Sequence, residues 1–149
     1  MSSTKQDYNS LYKIDFFLWS QAVANAIRHE ELDAHDRQIV ADQISSMGME
    51  KIQSSISLLC NLIMHLMQLS HHVCTIPNNH HDCIIEIRKH LEISIKHSPH
   101  LARMLYNDID IIYQNGVQKY LQDLNIGHYL PSTCPFTTAQ LLDKDFFTE

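Results

Sequence analysis

The sequence predicts an all-α protein, a single helical bundle of about five helices with a short helix at the C-terminus. Three observations predict it. Apolar residues recur at three- and four-residue spacing along most of the chain. No stretch shows the period-two alternation of a half-buried strand. Only three Gly and four Pro occur in 149 residues, too few for a many-stranded sandwich or a Gly-rich phosphate cradle. The length suits one domain, and a hydrophobic share of 44% suits a packed core rather than a disordered chain.

Residues 1–10 are polar and predict a flexible tail, leaving 11–149 as the helical domain. Phe16, Trp19, Val23 and Ile27 form the first apolar stripe. The polar run His29 to Asp33 ends that helix, and Asp33 or Asp36 can cap the next. There, Val40, Ile44 and Met47 share a face. A second seam follows at Ile52, Ile56, Leu59, Ile63 and Leu66, out of phase with the first, so a break or kink is expected at Gly48. Leu58, Leu62 and Leu69 widen this seam, which makes its helix the most central one. Ser70 to His81, with Pro77-Asn78-Asn79 inside it, reads as a loop.

Ile84, Ile87, Leu91 and Ile95 mark a further helix. Ser98-Pro99 is a start signal, an N-cap followed by proline at the first helical position. Leu101, Leu105, Ile109, Ile112, Val117, Tyr120 and Leu124 then predict one long helix that tolerates Gly116 and ends at Gly127. Pro131 and Pro135 bracket an extended segment. Thr137 to Gln140 has the spacing of a capping box and opens the short last helix.

Charge and composition exclude several function classes. Eleven Lys and Arg against 17 Asp and Glu give a net charge of -6, so no nucleic-acid partner is expected. No uninterrupted apolar run reaches the ~18 residues of a spanning helix, because Ser57, Asn61, His65 and Gln68 break the best one; no membrane partner is expected. The four cysteines form no CxxC pair, and Met1 to Ser10 carries no apolar export core. Reduced thiols in the cytoplasm are therefore expected. The 11 histidines are the outlier. Protonating all of them would reverse the sign of the net charge, although ordinary solvated histidines are the simpler expectation.

Two constellations carry candidate chemistry. His71-His72-Val73-Cys74 is followed nine residues later by His80-His81-Asp82-Cys83. A turn at Pro77-Asn78-Asn79 could bring imidazoles and thiolates together around zinc or another transition metal. The cysteine spacing is not that of a zinc ribbon, so a polar interhelical loop and no cofactor are expected. Asp42 and His65 form the second candidate, a buried polar pair between neighbouring helices. The alternative is a carboxylate–His metal or acid/base site.

Catalytic signatures are missing. Arg88 and His90 lack the spacing of helical-bundle nucleases. Nucleophile elbow, phosphate loop, dinucleotide fingerprint and HExxH are all absent. Asp108 and Asp110, two apart on a helix, point away from each other. The expected function is thus a non-enzymatic protein-interaction or self-associating module, with Tyr106, Tyr113, Tyr120 and Tyr129 as aromatic surface. A metal-binding regulator or metal-dependent hydrolase using the His/Cys-rich loop is the alternative.

Five motifs in order carry a family resemblance: Asp15-Phe16-Phe17-Leu18-Trp19, Ile39 to Ile44 followed by Met47-Gly48, Leu62 to Leu66, Ser98-Pro99-His100-Leu101, and Cys134-Pro135-Phe136 through Asp143. Over roughly residues 8–147 they resemble the bacterial family called domain of unknown function 29, common in cyanobacteria. Asp15, Trp19, Gly48, His65, Pro99, Cys134 and Pro135 match its motifs. Asp42-Gln43 stands where members usually carry two Glu, and Gln68-Leu69 where they carry Lys-Trp. Their Arg-rich loop is His-rich here. The resemblance implies a helical fold and brings no activity with it.

Overall fold

The computed structural model describes residues 7–70, 79–125 and 130–147, the side chains of Phe16 and Phe17 apart. The protein is all-α, with no strand among the described residues. Residues cluster into two compact units, Met1–Glu50 and Lys51–Glu149.

In the first unit, short acidic side chains set each helix start. The Asp7 carboxylate accepts from the Ser10 amide at 3.1 Å and opens α1 (Tyr8–Ile14). The helix thus begins inside the expected tail. Asp15 closes α1 and caps α2 (Phe16–Arg28), accepting from the Leu18 amide at 2.9 Å. Glu30 then takes a positive φ of 58° and breaks the helical path. Asp33 is the cap of α3 (Ala34–Leu69), accepting from the Asp36 amide at 2.8 Å.

Trp19, Val23 and Val40 form the core of this unit, with Tyr8, Leu11, Tyr12 and Leu32 against them. The stripe expected on α2 is shifted: Ala26 is buried and Ile27 exposed. On α3 only Val40 of the expected face is covered; Ile44 is 64% and Met47 55% exposed.

No break occurs at Gly48, where α3 stays helical. One helix-interior glycine costs only about 1 kcal/mol. The two apolar seams differ in phase for another reason: Val40 belongs to the core of the first unit, and Leu59 onward to that of the second. By length and composition alone α3 could cross a membrane, a test that core helices also pass.

In the second unit, Leu59, Leu62, Ile63, Leu66 and Met67 of α3 are buried as the central seam requires, while Ile52 and Ile56 are partly exposed. The next helix, α4 (His80–His97), contributes Ile84 and Leu91, with Ile87 and Ile95 packed at the margin. Ser98 ends α4 and caps α5 (Pro99–Asn107); its hydroxyl accepts from the Leu101 amide at 3.2 Å, and Pro99 sits in the first turn.

The long helix expected after Pro99 is interrupted twice. Asp108 separates α5 from α6 (Ile109–Ile112). A π-helical turn, Tyr113–Gln118, then leads into α7 (Lys119–Asp123). A π turn closes i→i+5 bonds and consumes an extra residue. The buried row therefore moves from Ile112 to Tyr113, Val117 and Leu121, and the expected Tyr120 and Leu124 are exposed. Asn125, with φ 57°, takes the left-handed position past α7. Gly127, expected there, lies outside the described residues.

The C-terminal segment is fixed at both ends. Near its start, the Tyr113 hydroxyl and Gln118 amide both donate to the Pro131 carbonyl, at 2.9 and 3.1 Å. The Gln114 side chain donates to Ser132, and the Cys134 amide donates to the Asp110 carboxylate at 2.9 Å. The capping box of Thr137 and Gln140 then opens α8 (Thr138–Leu142) as its spacing predicts. At the far end, the buried Arg88 guanidinium donates to the carbonyls of Leu141, Phe146 and Gln140, at 2.9, 2.7 and 3.3 Å. Burial pulls the Arg88 pKa below its ordinary value, and the Asp143 charge opposes that shift.

A three-carbonyl seat fits a planar fork of N–H donors and little else. Arg88→Gln should destabilise the second unit by about 3 kcal/mol, since hydrogen bonds to a charged group are the strong ones. Urea unfolding followed by circular dichroism measures it; a loss below about 0.5 kcal/mol, the range of ordinary surface changes, would show that the seat is dispensable.

Candidate functional site

The second unit holds a cleft of about 820 Å³ between α3 and the α5–α7 segment. Ile56, Cys60 and Met64 of α3 form one wall, and Met104, Ile112 and Val117 form the other. Ser57, Asn61, Asp108, Asn115 and Tyr120 add polar groups. Apolar walls with a few polar groups, at this volume, are typical of small-molecule sites. Sequence reasoning missed the cleft. Its one visible signal was the five-residue gap between Ile112 and Val117, where a regular helix would repeat after three or four.

The π turn shapes this wall. It carries the Gly116 backbone so close to α3 that a Cβ on Gly116 would stand 2.5 Å from the Cys60 sulfur. Burial pushes the Cys60 thiol above its ordinary pKa. Nearby Cys134 is pushed up to about 11, by burial first, with Asp110 and Cys60 adding to the shift and a hydrogen bond from the Phe136 backbone opposing it. Both are protonated at neutral pH and are poor nucleophiles.

Gly116→Ala should therefore destabilise the protein by about 1–3 kcal/mol, an overpacking cost. In a Cys60→Ala background the same change should become neutral or stabilising by up to about 1 kcal/mol, the helical preference of Ala over Gly. The cycle is read from denaturation midpoints; additive effects would refute the close approach.

The histidine candidates fall differently. His71, His72 and Cys74 lie outside the described residues. His80 and His81 open α4, and Cys83 follows one turn on, exposed. Among the described residues, no three His, Cys, Asp or Glu side chains are grouped to hold a metal. His65 meets His80, with Nδ1 to Nδ1 at 2.9 Å. Asp42 is not on a preceding helix but on α3 itself, and its carboxylate accepts from Gln38 at 2.9 Å.

In the His65–His80 contact one ring must donate and the other accept, so one of the two facing nitrogens stays unprotonated. Burial, and then the neighbouring His80, hold the His65 pKa below its ordinary value of 6.5. The unfolded chain thus takes up this proton first as pH falls. The His65 contribution to stability is full above about pH 6.5 and declines as pH falls from there toward the depressed folded value. Unfolding midpoints between pH 7.5 and 5 should show that decline, and His65→Asn should flatten it. An unchanged slope in the variant would place the acid sensitivity elsewhere.

Comparison with known proteins adds one decisive finding. The family model described as Domain of unknown function DUF29 matches residues 11–147. The chain belongs to the DUF29 family. No curated protein and no solved structure gives a significant match.

The residues that matched DUF29 motifs have structural positions here. Asp15 and Pro99 act at helix starts. Trp19 is buried, edge-on to Tyr12 at 4.9 Å between ring centres. Gly48 sits in open space on α3. Cys134 and Pro135 lie in the segment held against α6 and the π turn. Of the expected aromatic surface, Tyr106 and Tyr120 are exposed, Tyr113 is buried, and Tyr129 lies outside the described residues.

Proposed function

We propose that the protein is a non-enzymatic interaction module that associates with a second copy of itself through the first unit. The observation that carries this reading is the uncovered apolar row on α3. Ile44 and Met47 continue the register of buried Val40, yet both stand more than half exposed. Leu18 and Ile27 of α2 are exposed as well. An apolar helix row of this kind is a docking surface when a partner covers it. A two-fold symmetric pair is the simplest assembly that lets one surface cover itself. The cytoplasm, where Cys60 and Cys134 remain separate thiols, is the compartment that goes with this reading.

Size-exclusion chromatography with light scattering, over a range of concentrations, tests it. The expected result is a concentration-dependent dimer that Ile44→Glu converts to monomer. The melting temperature should hardly change, because Ile44 makes no core contact to lose. A wild-type monomer at every concentration would sink the proposal.

The metal-binding reading is kept for one observation: His65 and His80, 15 residues apart in sequence, approach each other. Zinc or another transition metal would be the ligand. Elemental analysis of untagged protein decides it, with about one metal per chain supporting the reading and none removing it.

A further inference from the structure

We infer that the cleft beside the π turn binds a small organic ammonium ion with an apolar body, with Asp108 as its counter-ion. This site belongs to the second unit and does not rest on the reading above.

Three observations converge. The first is the wall chemistry: Ile56, Met64, Met104 and Val117 offer an apolar trough to an alkyl or aryl body, and thioethers adapt to many shapes. The second is the charge pattern. Among the described residues, Asp108 is the only carboxylate lining the cleft, and no Lys, Arg or His lines it. An anionic ligand would meet repulsion there without compensation, whereas a cation is matched. Tyr120 is also in the lining, and an aromatic ring favours the same sign.

The third observation concerns how Asp108 is held. It occupies the N-cap position of α6, where an Asp side chain ordinarily accepts from the amides of the first turn. Here it makes no such capping bond. Its backbone is nevertheless fixed, because its amide donates to Met104 and its carbonyl accepts from Ile112. A carboxylate beside apolar walls, on a fixed backbone and not spent on capping its own helix, can form a charge-assisted hydrogen bond to an ammonium group. The volume favours a free small molecule over a docked helix, since about 820 Å³ lies within the range of small-ligand pockets.

The experiment compares three probes of equal chain length on the full-length protein at pH 7.5: n-octylammonium, 1-octanol and octanoate. Affinities are read by isothermal titration and by amide chemical-shift changes on α3 and α5–α7. The wild type should bind octylammonium about tenfold or more tightly than octanoate, with octanol between them. Asp108→Asn keeps a good N-cap residue; it should abolish that preference and leave octanol within about twofold of the wild type. Ser57→Trp, which places a large ring in the lining from an exposed position, should weaken all three probes. Octanoate binding as tightly as octylammonium would overturn the inference. So would a preference that survives Asp108→Asn, binding that survives Ser57→Trp in a folded variant, or the failure of all three probes to bind.

Discussion

A buried guanidinium has to be solvated by something, and in this fold the C-terminal chain does it. Arg88 sits between Ile84 and Leu91 on the inward face of α4, where an aliphatic side chain would be expected. Leaving that charge unpaired would cost several kcal/mol. The carbonyls at the end of α8 and beyond it satisfy all sides of the fork at once. Those of Gln140 and Leu141 are also carbonyls that a helix end cannot satisfy internally. The requirement is therefore mutual: α8 terminates on a cation, and the cation is buried by the residues that follow α8. Phe136, Leu141, Phe146 and Phe147 are held over the core as a result. The other end of the same segment is fixed by the π turn, whose Tyr113 and Gln118 share one carbonyl. In a regular α-helix residues five apart point about 140° away from each other. Only the wider turn brings both side chains to Pro131.

Much of this was legible in the residues. Local rules carried well: Ser98-Pro99, Asp33 and the Thr137/Gln140 box all act at the helix ends their chemistry implies, because a cap involves a few neighbouring atoms. The seam from Leu59 to Leu66 and the row Ile84 to Ile95 were readable from spacing alone. What failed depends on partners distant in the chain. Gly48 was read as a break because two apolar rows fell out of phase; the rows serve two different cores, and a single helix can do that. The distance of Arg88 from His90 says nothing of its burial. Its place at the four-and-three spacing of Ile84 and Leu91 was the signal that a charge had been built into the core. The phase shift after Ile112 hid the burial of Tyr113 and Leu121 and credited Tyr120 and Leu124 instead.

The site was less legible than the fold. The His/Cys near-repeat drew notice because rare residues cluster there in sequence. The cleft uses common ones, and what makes it a cleft is a backbone detail: the approach of Gly116 to Cys60 and the turn at Asp108. Asp108 and Asp110, two apart in sequence, do part company as that spacing implies. Asp110 holds the Cys134 amide on one side, while Asp108 lines the cleft on the other. Residues that diverge from one helix serve two tasks rather than one.

The π turn also determines how this chain can tolerate changes of length. Adding one more residue between Tyr113 and Gln118 would exceed the single extra residue that the wide turn absorbs. Everything after it would rotate by about 100°, one residue's worth of helical twist. Val117 and Leu121 would leave the interior, and Tyr120 would swing toward it. The downstream chain cannot follow that rotation freely, because its far end is anchored on Arg88. Most surface helices absorb an insertion by adjusting a loop. Here the wide turn has already absorbed its one extra residue between two fixed points, so the stretch 113–118 should be among the least forgiving of a further insertion, although several of its side chains reach solvent. Losing one residue would leave an ordinary helix in the same phase.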